Sequence, residues 1–354
     1  MKKGFTLIEL VVAVALLSMV LSFAGLIFNV SIESHRTAKA NAEIMRNLRA
    51  ITDQLNTDFA GIQTDAPLLI WFEKDNRIDP NRYDQIMFFA SGDFQSIQLY
   101  KDTEPDPEEG DRTISGNVAR IHYGQAQVIY PNRSRKDPID LESQERMLAR
   151  RQHILTADPS VKEWPDDDLD NFEESGQNNL PVNEIYEHDS LALRRWKITE
   201  PDKYKDKIVP YSFVERPLID MDRPEDTFHK LMCQGVGSFA IQWAYWDDDD
   251  KRFYWFPSDD PDGDGDDDDS HFKLVSDDEF GVYFNVLNGS EFMSGSWVWY
   301  PIGDTDIKYD SGSFESSFYP KALKFTFRLY DSKGLIGRDG EKGREFTHIV
   351  YLGG

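Results

Sequence analysis

The chain has 354 residues and a formal net charge of −25, which argues against a nucleic-acid partner because phosphates would be repelled over most of its surface. The same acidity disfavours adsorption to anionic lipid and is compatible with calcium or with basic partners. A single cysteine, Cys233, excludes an intramolecular disulfide and a cysteine metal cluster, and we predict that it is a small buried apolar residue.

The first element is an apolar run from Phe5 to Val30, in which Glu9 is the only ionisable side chain. Its 26 residues would form a helix of about 39 Å, and the hydrocarbon core of a bilayer is about 30 Å thick. The run is too long for the apolar region of an ordinary signal peptide and lacks an A-x-A cleavage site. We therefore predict a single membrane-spanning helix, with Lys2 and Lys3 in the cytoplasm and the bulk of the chain outside.

Glu9 is unusual because a carboxylate in hydrocarbon costs at least about 3 kcal/mol without a partner or a purpose. One interpretation is an interfacial glutamate that extends toward water, since it lies only five residues after Gly4. The neighbouring residues favour another interpretation. The segment Gly4-Phe5-Thr6-Leu7-Ile8-Glu9-Leu10, between a short basic leader and an unbroken apolar helix, closely resembles the class III signal of type IV prepilins.

This resemblance implies a processing and assembly site at the N-terminus. In that family a membrane prepilin peptidase cleaves after the residue that matches Gly4, and the new N-terminal residue, here Phe5, is then N-methylated. The residue that matches Glu9 supports methylation and assembly. Cleavage would leave a cationic amine on Phe5, and the Glu9 of a neighbouring subunit could neutralise it, which predicts an ion pair that sets the axial register between subunits.

A helical pattern continues from Ser31 to about Gly61. Apolar residues recur there at three- and four-residue steps, with one gap near Lys39: Ile32, Ala42, Met45, Leu48, Ile51, Leu55, Phe59 and Ile62. The pattern predicts one continuous helix from about Phe5 to Ala60, and the alternative is a separate anchor followed by a separate soluble helix. We divide the chain into a leader, a membrane half of the helix, an amphipathic half and a β-rich domain: 1–4, 5–30, 31–62 and 67–354.

Strand patterns dominate after Pro67, and the predicted fold class is α+β, a long N-terminal helix packed on antiparallel sheets. The sequence predicts a hairpin of 85–90 with 96–100 around Ser91-Gly92-Asp93, and a second strand pair of 118–123 with 125–130. Other strands are predicted at 67–72, 237–246, 297–301, 319–331 and 346–352. Residues 133–153 are charged and rich in helix formers, and an acidic insertion near 158–194 is predicted to be a long loop.

The later strands carry a second resemblance. A strand that ends in Trp246, the strand Tyr319–Asp331 beginning Tyr-Pro-Lys-Ala-Leu-Lys-Phe, and a last short strand after glycine resemble type II secretion J-type minor pseudopilins and the related PilW-like minor pilins. Ala119–Tyr123 and Met147–Arg151 are similar to that family's Arg-x-x-Tyr and Leu-x-Arg pair of strands. The resemblance implies a periplasmic two-sheet domain on the bacterial inner membrane and a place at a filament tip. Its implied partners are I-, K- and H-type pseudopilins, the prepilin peptidase and the inner-membrane assembly platform.

A second acidic insertion, near 247–270, contains the spacing D-x-D-x-D-G that begins an EF-hand loop. Calcium takes about six to eight oxygen ligands, and alternate carboxylates with a glycine turn can wrap it. The pattern then departs from an EF-hand, because His271 stands where the bidentate glutamate is expected. Two interpretations stay open: a solvated acidic hairpin tip, or a weak calcium site formed by Asp260, Asp262, Asp264, Asp266 and Asp268.

Enzyme motifs do not explain the chain, which has no H-x-x-x-H pair, no G-x-S-x-G and no P-loop. We predict no enzymatic activity and no required cofactor, with Ca²⁺ as the one candidate ion. The predicted function is a minor pseudopilin subunit at the tip of a type II secretion pseudopilus that supports protein export. The alternatives are a minor pilin of a type IV pilus and a calcium-dependent binding module on a pilin-type anchor.

Overall fold

A computed structural model describes the chain over residues 6–64, 66, 68–72, 74–75, 81–96, 113–131, 134–156, 185–188, 216–222, 224, 231–247, 251–256, 280–284, 298–301, 319–332 and 343–352. Within these residues the fold is α+β, as predicted, with one long helix and mainly antiparallel sheets. The helix α1 spans Leu7–Ala60, and a short 3₁₀ turn spans Pro138–Asp140. The described strands are, in chain order, β1 (Leu68–Phe72), β2 (Lys74–Asp75), β3 (Asn81–Arg82), β4 (Gln85–Gln95), β5 (Ser115–Gln125), β6 (Gln127–Ile129), β7 (Arg135–Lys136), β8 (Met147–Thr156), β9 (Ile185–His188), β10 (Leu218–Asp220), β11 (Leu231–Gln234), β12 (Val236–Asp247), β13 (Arg252–Phe256), β14 (Phe280–Phe284), β15 (Val298–Pro301), β16 (Ala322–Leu329) and β17 (Arg344–Tyr351).

The helix α1 runs without interruption for 54 residues, so the structure has the single continuous helix that the pattern predicts. It contains one glycine, Gly25, and no proline, and these are the residues that most often kink or end a helix. It ends at Gly61, whose N–H donates to the carbonyl of Asp58 at 3.3 Å. The membrane half and the domain half of the predicted helix therefore form one rod.

The domain half of α1 buries a single stripe of side chains. Its members are 3% exposed or less: Ala40, Ile44, Ile51, Leu55 and Phe59. The predicted stripe is right at its last three helical positions and wrong at Ala42 and Met45, which are exposed. Ile44 and Ile51 are about two helical turns apart, so they lie on the same face of the helix and the buried stripe is continuous. Its upper part consists of Ala40 and Ile44, which neighbour the predicted Ala42 and Met45 in sequence but face the core.

Two sheets pack against this stripe. The larger has the strand order β11-β8-β5-β4-β1-β14-β15 with β9 beside β8, and the smaller has the order β13-β12-β16-β17. The ring of Phe59 stacks on Phe88 of β4 with 4.2 Å between centroids and lies 5.5 Å from the ring of Phe325 of β16. Because Phe59 contacts both sheets, the end of α1 packs on both, and one buried cluster joins the helix to the two sheets.

Two minor sheets complete the described fold, β10-β6-β7 and β2-β3. The pairs β8–β9 and β6–β10 are parallel, so the prediction of antiparallel sheets holds for the two larger sheets apart from the short β9. The later strands agree with their patterns, since β12, β15, β16 and β17 fall within or over the predicted segments. In β16 the predicted apolar face is buried, namely Leu323, Phe325, Phe327 and Leu329.

The predicted hairpin at Ser91-Gly92-Asp93 is wrong. The strand β4 continues through these residues to Gln95, and its pairing with β5 shifts register between Ser91 and Phe94. The polar triplet is therefore a bulge in a long strand, because a bulge lets both strands keep pairing on either side of it. The predicted pair of 118–123 with 125–130 is also wrong, since β5 pairs with β4 and β8 while β6 pairs with β7 and β10.

Strands also occupy segments that composition assigns differently. The segment 133–153, which is rich in helix formers, instead holds β7, the 3₁₀ turn and most of the buried strand β8. The strand β9 lies inside the acidic insertion near 158–194, and β13 lies inside the one near 247–270. In each case pairing with a neighbouring strand overrides a weak local preference.

Candidate assembly site on the N-terminal helix

The first turn of α1 is closed by a reciprocal pair of side chains. The carboxylate of Glu9 accepts hydrogen bonds from the backbone N–H of Thr6 at 2.9 Å and from its hydroxyl at 2.7 Å. The backbone N–H of Glu9 donates to Thr6 Oγ1 at 3.4 Å. This capping box satisfies donors that the start of a helix leaves without partners. The carboxylate of Glu9 thus lies at the N-terminal end of the helix, where the helix dipole favours a negative charge.

The other two predicted processing residues, Gly4 and Phe5, lie outside the described residues. In the sequence, Phe5 directly precedes Thr6, whose N–H contacts Glu9.

The apolar half of α1, residues 7–30, is exposed along its whole length. Each of its large apolar side chains is at least 52% exposed. The hydroxyls of Ser18, Ser22 and Ser31 donate to the carbonyl four residues earlier at 2.8 Å each, so these polar groups are satisfied within the helix. The helix is long and apolar enough to cross a membrane. A surface of this kind is stable in hydrocarbon, which would cover the apolar side chains and requires every polar group to be satisfied internally.

At its other end α1 is joined to the large sheet by a buried carboxylate, Asp58. Arg150 of β8 donates to it twice, from Nε to Oδ2 at 2.6 Å and from Nη2 to Oδ1 at 2.9 Å. The hydroxyl of Tyr123 on β5 also donates to Oδ2, and Gln54 donates to Oδ1 at 3.1 Å. Tyr123 and Arg150 are directly opposite each other in the β5–β8 pair. We call Asp58, Tyr123 and Arg150 the helix–sheet junction.

Burial and charge at this junction act on the protons of both donors. Burial, followed by the charge of Asp58, raises the pKa of Tyr123 well above its usual 10.0, so the phenol keeps its proton. Burial alone would lower the pKa of Arg150, but its hydrogen bonds to Asp58 and the charge of that carboxylate outweigh burial and raise it. Tyr123 is therefore a neutral donor in the junction, and Arg150 stays cationic.

Sequence reasoning brought together the strands of this junction and missed its carboxylate. The resemblance of Ala119–Tyr123 and Met147–Arg151 to a strand pair is matched by the β5–β8 register. The sequence position of Asp58 does indicate a buried charge, because it lies beside Phe59 on the buried side of an amphipathic helix. Charged residues are almost never fully buried unless they are paired, so a partner on the sheet was to be expected.

The opposite face of β5 and β8 carries two arginines and two histidines. Arg120 pairs with His153 and His122 with Arg151 across the strands. Arg120 Nη2 lies 2.5 Å from His153 Nδ1, and His122 Nε2 lies 3.1 Å from Gln85 Oε1. Because arginine can only donate, the imidazole of His153 must accept at Nδ1. Burial, and then the neighbouring arginines, hold the pKa of both histidines well below 6.5.

A second buried ion pair, Asp84 with Arg82, links the start of β4 to the small sheet. The carboxylate of Asp84 accepts a hydrogen bond from the backbone N–H of Ile241 at 2.7 Å and is paired with Arg82. Arg82 in turn donates to the carbonyl of Ile241 at 2.8 Å. Burial raises the pKa of Asp84 to about 6, and Arg82 opposes that shift. The Asp84–Arg82 pair links the two sheets to each other, and the helix–sheet junction links the large sheet to α1.

The predicted calcium ligands lie outside the described residues: Asp260, Asp262, Asp264, Asp266 and Asp268. The part of the chain that the structure describes contains no cluster of three or more His, Cys, Asp or Glu side chains that could hold a metal ion. The strands β12 and β13 pair up to Asp247 and Arg252, at the start of the acidic insertion near 247–270.

An exposed apolar half-helix that continues into a rod packed against two sheets fits a single-pass, membrane-anchored subunit with a pilin-like fold. Comparison with protein families agrees with this class at the N-terminus, where residues 1–25 match the prokaryotic N-terminal methylation motif, the prepilin signal of type IV pilins and pseudopilins. Comparison with curated proteins gave no match, and comparison with solved structures gave none. The motif implies processing by prepilin peptidase and assembly with other pilins, and it points to a structural subunit of the inner membrane.

Proposed function

We propose that the chain is a minor pseudopilin that assembles into the tip of a type II secretion pseudopilus and supports protein export. The observation that carries the proposal is continuity: one helix begins at the methylation motif, exposes an apolar half and ends packed against two sheets. The β5–β8 pair supports the J-type assignment, because its strands carry the residues of that resemblance. The N-terminus is then cytoplasmic and the β-rich domain periplasmic.

The proposed assembly step exchanges one hydrogen-bond partner of Glu9 for another. Peptidase cleavage after Gly4 frees the amine of Phe5, which is then methylated and stays cationic. In the isolated chain the Glu9 carboxylate binds the neutral N–H and hydroxyl of Thr6. A charged amine from a neighbouring subunit forms a stronger hydrogen bond to a carboxylate than a neutral N–H does, so the exchange is favourable in low dielectric. The new pair fixes the axial position of one subunit on the next.

Three variants separate the charge of Glu9 from its capping role. Glu9→Ala removes both, Glu9→Gln keeps a capping-box side chain without charge, and Thr6→Ala weakens the cap and keeps the charge. We expect membrane insertion in all three, and loss of co-purification with partner pilins in both Glu9 variants only. Mass spectrometry of the wild-type chain should show an N-methylated Phe5 as the first residue. An unprocessed N-terminus, or normal co-purification of Glu9→Gln, would contradict the proposal.

A minor pilin of a surface type IV pilus is the main alternative, because the same signal and the same helix serve both machines. The partners distinguish the two. Co-purification of the detergent-solubilised chain with pseudopilins and a secretion ATPase supports the secretion system, whereas a major pilin and a retraction ATPase support the pilus.

We also propose, from sequence spacing alone, that the acidic segment binds calcium weakly. Titration calorimetry of the full-length chain with Ca²⁺ is the test, with Asp262→Asn plus Asp264→Asn as the variant. A binding heat that the variant loses supports the site. Absence of heat in the wild type removes calcium from the function, and the assembly proposal is unaffected.

A further inference from the structure

The last strand of the small sheet, β17, has one edge that pairs with no other described strand. The sheet order is β13-β12-β16-β17, so β17 pairs with β16 on one side only. The N–H of Leu352 donates to the carbonyl of Lys321 at 2.9 Å, and the bonded residues alternate along an antiparallel pair. The residues between them turn their N–H and C=O away from β16, and we call them the open edge: Glu345, Thr347, Ile349 and Tyr351. Among the described residues no backbone hydrogen bond reaches this edge.

The open edge lacks the devices by which natural proteins block unpaired strands. Residues 344–351 contain no proline and no lysine, and their pairing with β16 has no register shift, so no bulge twists the edge away. The two charged residues, Arg344 and Glu345, stand together at the beginning of the strand, and β-branched and aromatic residues of high strand propensity follow. An extended polypeptide repeats its backbone donors and acceptors at the spacing of alternate strand residues, about 7 Å, which a helix, a sugar or a lipid does not. The edge is therefore a template for one more β-strand.

The side chains of the open edge are exposed on the outer face of the small sheet, opposite the core. Toward the end of β17 this face is apolar, since Ile349 is 38% and Tyr351 67% exposed and the ring of Tyr351 lies 6.0 Å from that of Phe253 on β13. Toward its start Glu345 is bonded to Arg328 at 3.3 Å. A strand that pairs here would place apolar side chains beside Ile349 and Tyr351 and a polar one beside Glu345.

The strand β17 runs along α1 and away from the membrane half. Ser332, which follows β16, donates to Glu43 at 3.2 Å. Farther along β17, His348 lies 2.9 Å from the side-chain oxygen of Asn56. Glu43 and Asn56 come 13 and 26 residues after Val30, the last residue of the apolar run, which places them about 20 and 39 Å beyond it.

This position decides among the occupants of the open edge. The headgroup layer adds only about 5 to 8 Å to each side of the hydrocarbon core, so lipid does not reach the edge. Antiparallel pairing of two copies of β17 would point their α1 rods in opposite directions, and both copies could not then be anchored in one membrane. The methylation motif implies assembly with other pilins, and a chain of that class would be anchored beside this one with its domain on the same side.

We propose that the open edge of β17 receives one β-strand from a neighbouring pilin-type subunit of different sequence. Main-chain hydrogen bonds supply the affinity, and the side chains on the outer face select the partner. Each copy of the chain offers this edge once, so the contact fits a subunit that is present in a mixed tip complex. The inference rests on the proposed function and deepens it, because it names a second contact of assembly, distant from Glu9.

A proline variant tests the main-chain contact. Thr347→Pro removes an N–H that points to the open edge and leaves the hydrogen bonds to β16 in place. Thr347→Val is the matched control, because it keeps the N–H and the β-branched shape. Full-length chains are expressed together with their pilin-type partners and extracted in mild detergent, and the co-purified subunits are quantified by mass spectrometry. We expect recovery of one partner to fall about fivefold or more in Thr347→Pro and to stay within about twofold in Thr347→Val.

A second variant covers the case in which the proline variant fails to fold. Thr347→Lys with Ile349→Lys keeps every backbone group and places two charges on the edge, as natural edge strands do. We expect the same loss of recovery with an unchanged melting temperature, since both side chains are exposed.

A photo-crosslinking residue, placed at Thr347 or at Thr326, locates the partner. Thr326 lies opposite Thr347 on β16 and shares the outer face. Neighbouring strands are about 4.8 Å apart, so an added strand would be about 5 Å from the backbone of Thr347 and about 10 Å from that of Thr326. We expect an adduct mainly at Thr347, with a peptide from another subunit that carries its own prepilin-type N-terminus.

Unchanged recovery in the folded Thr347→Pro or lysine variant, or an equal loss in Thr347→Val, would overturn the proposal. So would equal adducts at Thr347 and Thr326, because the partner would then lie on the face of the sheet, and so would an adduct with a second copy of this chain. Processing of the N-terminus is scored separately by mass spectrometry. A chain that is processed normally but keeps full recovery in Thr347→Pro refutes the open edge alone, and an unprocessed chain refutes the pseudopilin assignment alone.

Discussion

Replacement of Asp58 by alanine would remove the acceptor of four hydrogen bonds at the helix–sheet junction. Loss of one partner of a buried ion pair costs about 3–5 kcal/mol, because the other charge stays buried. A buried hydroxyl left without its acceptor, here that of Tyr123, adds about 1 kcal/mol. Arg150 keeps 17% of its side chain exposed, so water reaches part of the guanidinium and lowers the cost. We therefore expect a total loss of about 3 kcal/mol in the free energy of unfolding.

Urea unfolding of the full-length chain in detergent, followed by tryptophan fluorescence, measures this loss, since Trp243 is fully buried in the core that α1 shares. In a thermal scan the same change should lower the melting temperature by about 6–12 °C. Asp53→Ala is the matched control, because this acid lies on the exposed face of the same helix, and we expect a change below about 0.5 kcal/mol.

A double variant tests the cause. Asp58→Ala with Arg150→Met removes both charges, so it should be at least about 1 kcal/mol more stable than Asp58→Ala alone. The reasoning is refuted if Asp58→Ala unfolds like the control, or if the double variant loses the full sum of the two single losses.

Two further predictions concern pH and backbone packing. The folded state holds the pKa of His122 and His153 below 6.5, so the unfolded state binds protons first and the free energy of unfolding should fall as the pH drops below 6.5, by about 1.4 kcal/mol per pH unit for each histidine. The difference in this free energy between the wild type and the variant His122→Gln with His153→Gln, measured at several pH values, isolates the slope. A difference that does not change between pH 7 and 5 contradicts the prediction. A Cβ added at Gly61 would lie 2.1 Å from the carbonyl oxygen of Ser91, so Gly61→Ala should cost about 1–3 kcal/mol, whereas Gly25→Ala meets nothing within 4 Å and should leave the melting temperature unchanged.

The helix and the later strands could be predicted from sequence because each follows a strong period. The alternation of Leu323, Phe325, Phe327 and Leu329 leaves one way to place β16 on a core, and the structure has it. The stripe of α1 was predictable only near the domain, where large residues mark it. Farther up, small and polar residues dominate, and no local preference separates the buried Ala40 from the exposed Ala42.

Long-range pairing accounts for most of what the sequence missed. The triplet Ser91-Gly92-Asp93 has the composition of a turn, and only pairing with β5 turns it into a bulge. The carboxylate of Asp58 needs Tyr123 and Arg150, which lie 65 and 92 residues away, so no local window contains the junction. The burial of Cys233, in contrast, could be predicted from its residue type alone. Its side chain is 4% exposed within the core, and burial raises its pKa to about 12.

The length of the unbroken helix α1 also fixes the rotation of the domain about the helix axis relative to the membrane half. Its 54 residues extend about 81 Å, and the junction at Asp58 prevents the domain from swivelling about the axis. A single residue inserted between Ser31 and Lys39 would lift the domain by about 1.5 Å and turn it by about 100° relative to the membrane half. Seven inserted residues would restore the original facing to within about 20°. The angle at which each domain is presented around a shared axis is thus encoded in the length of this helix.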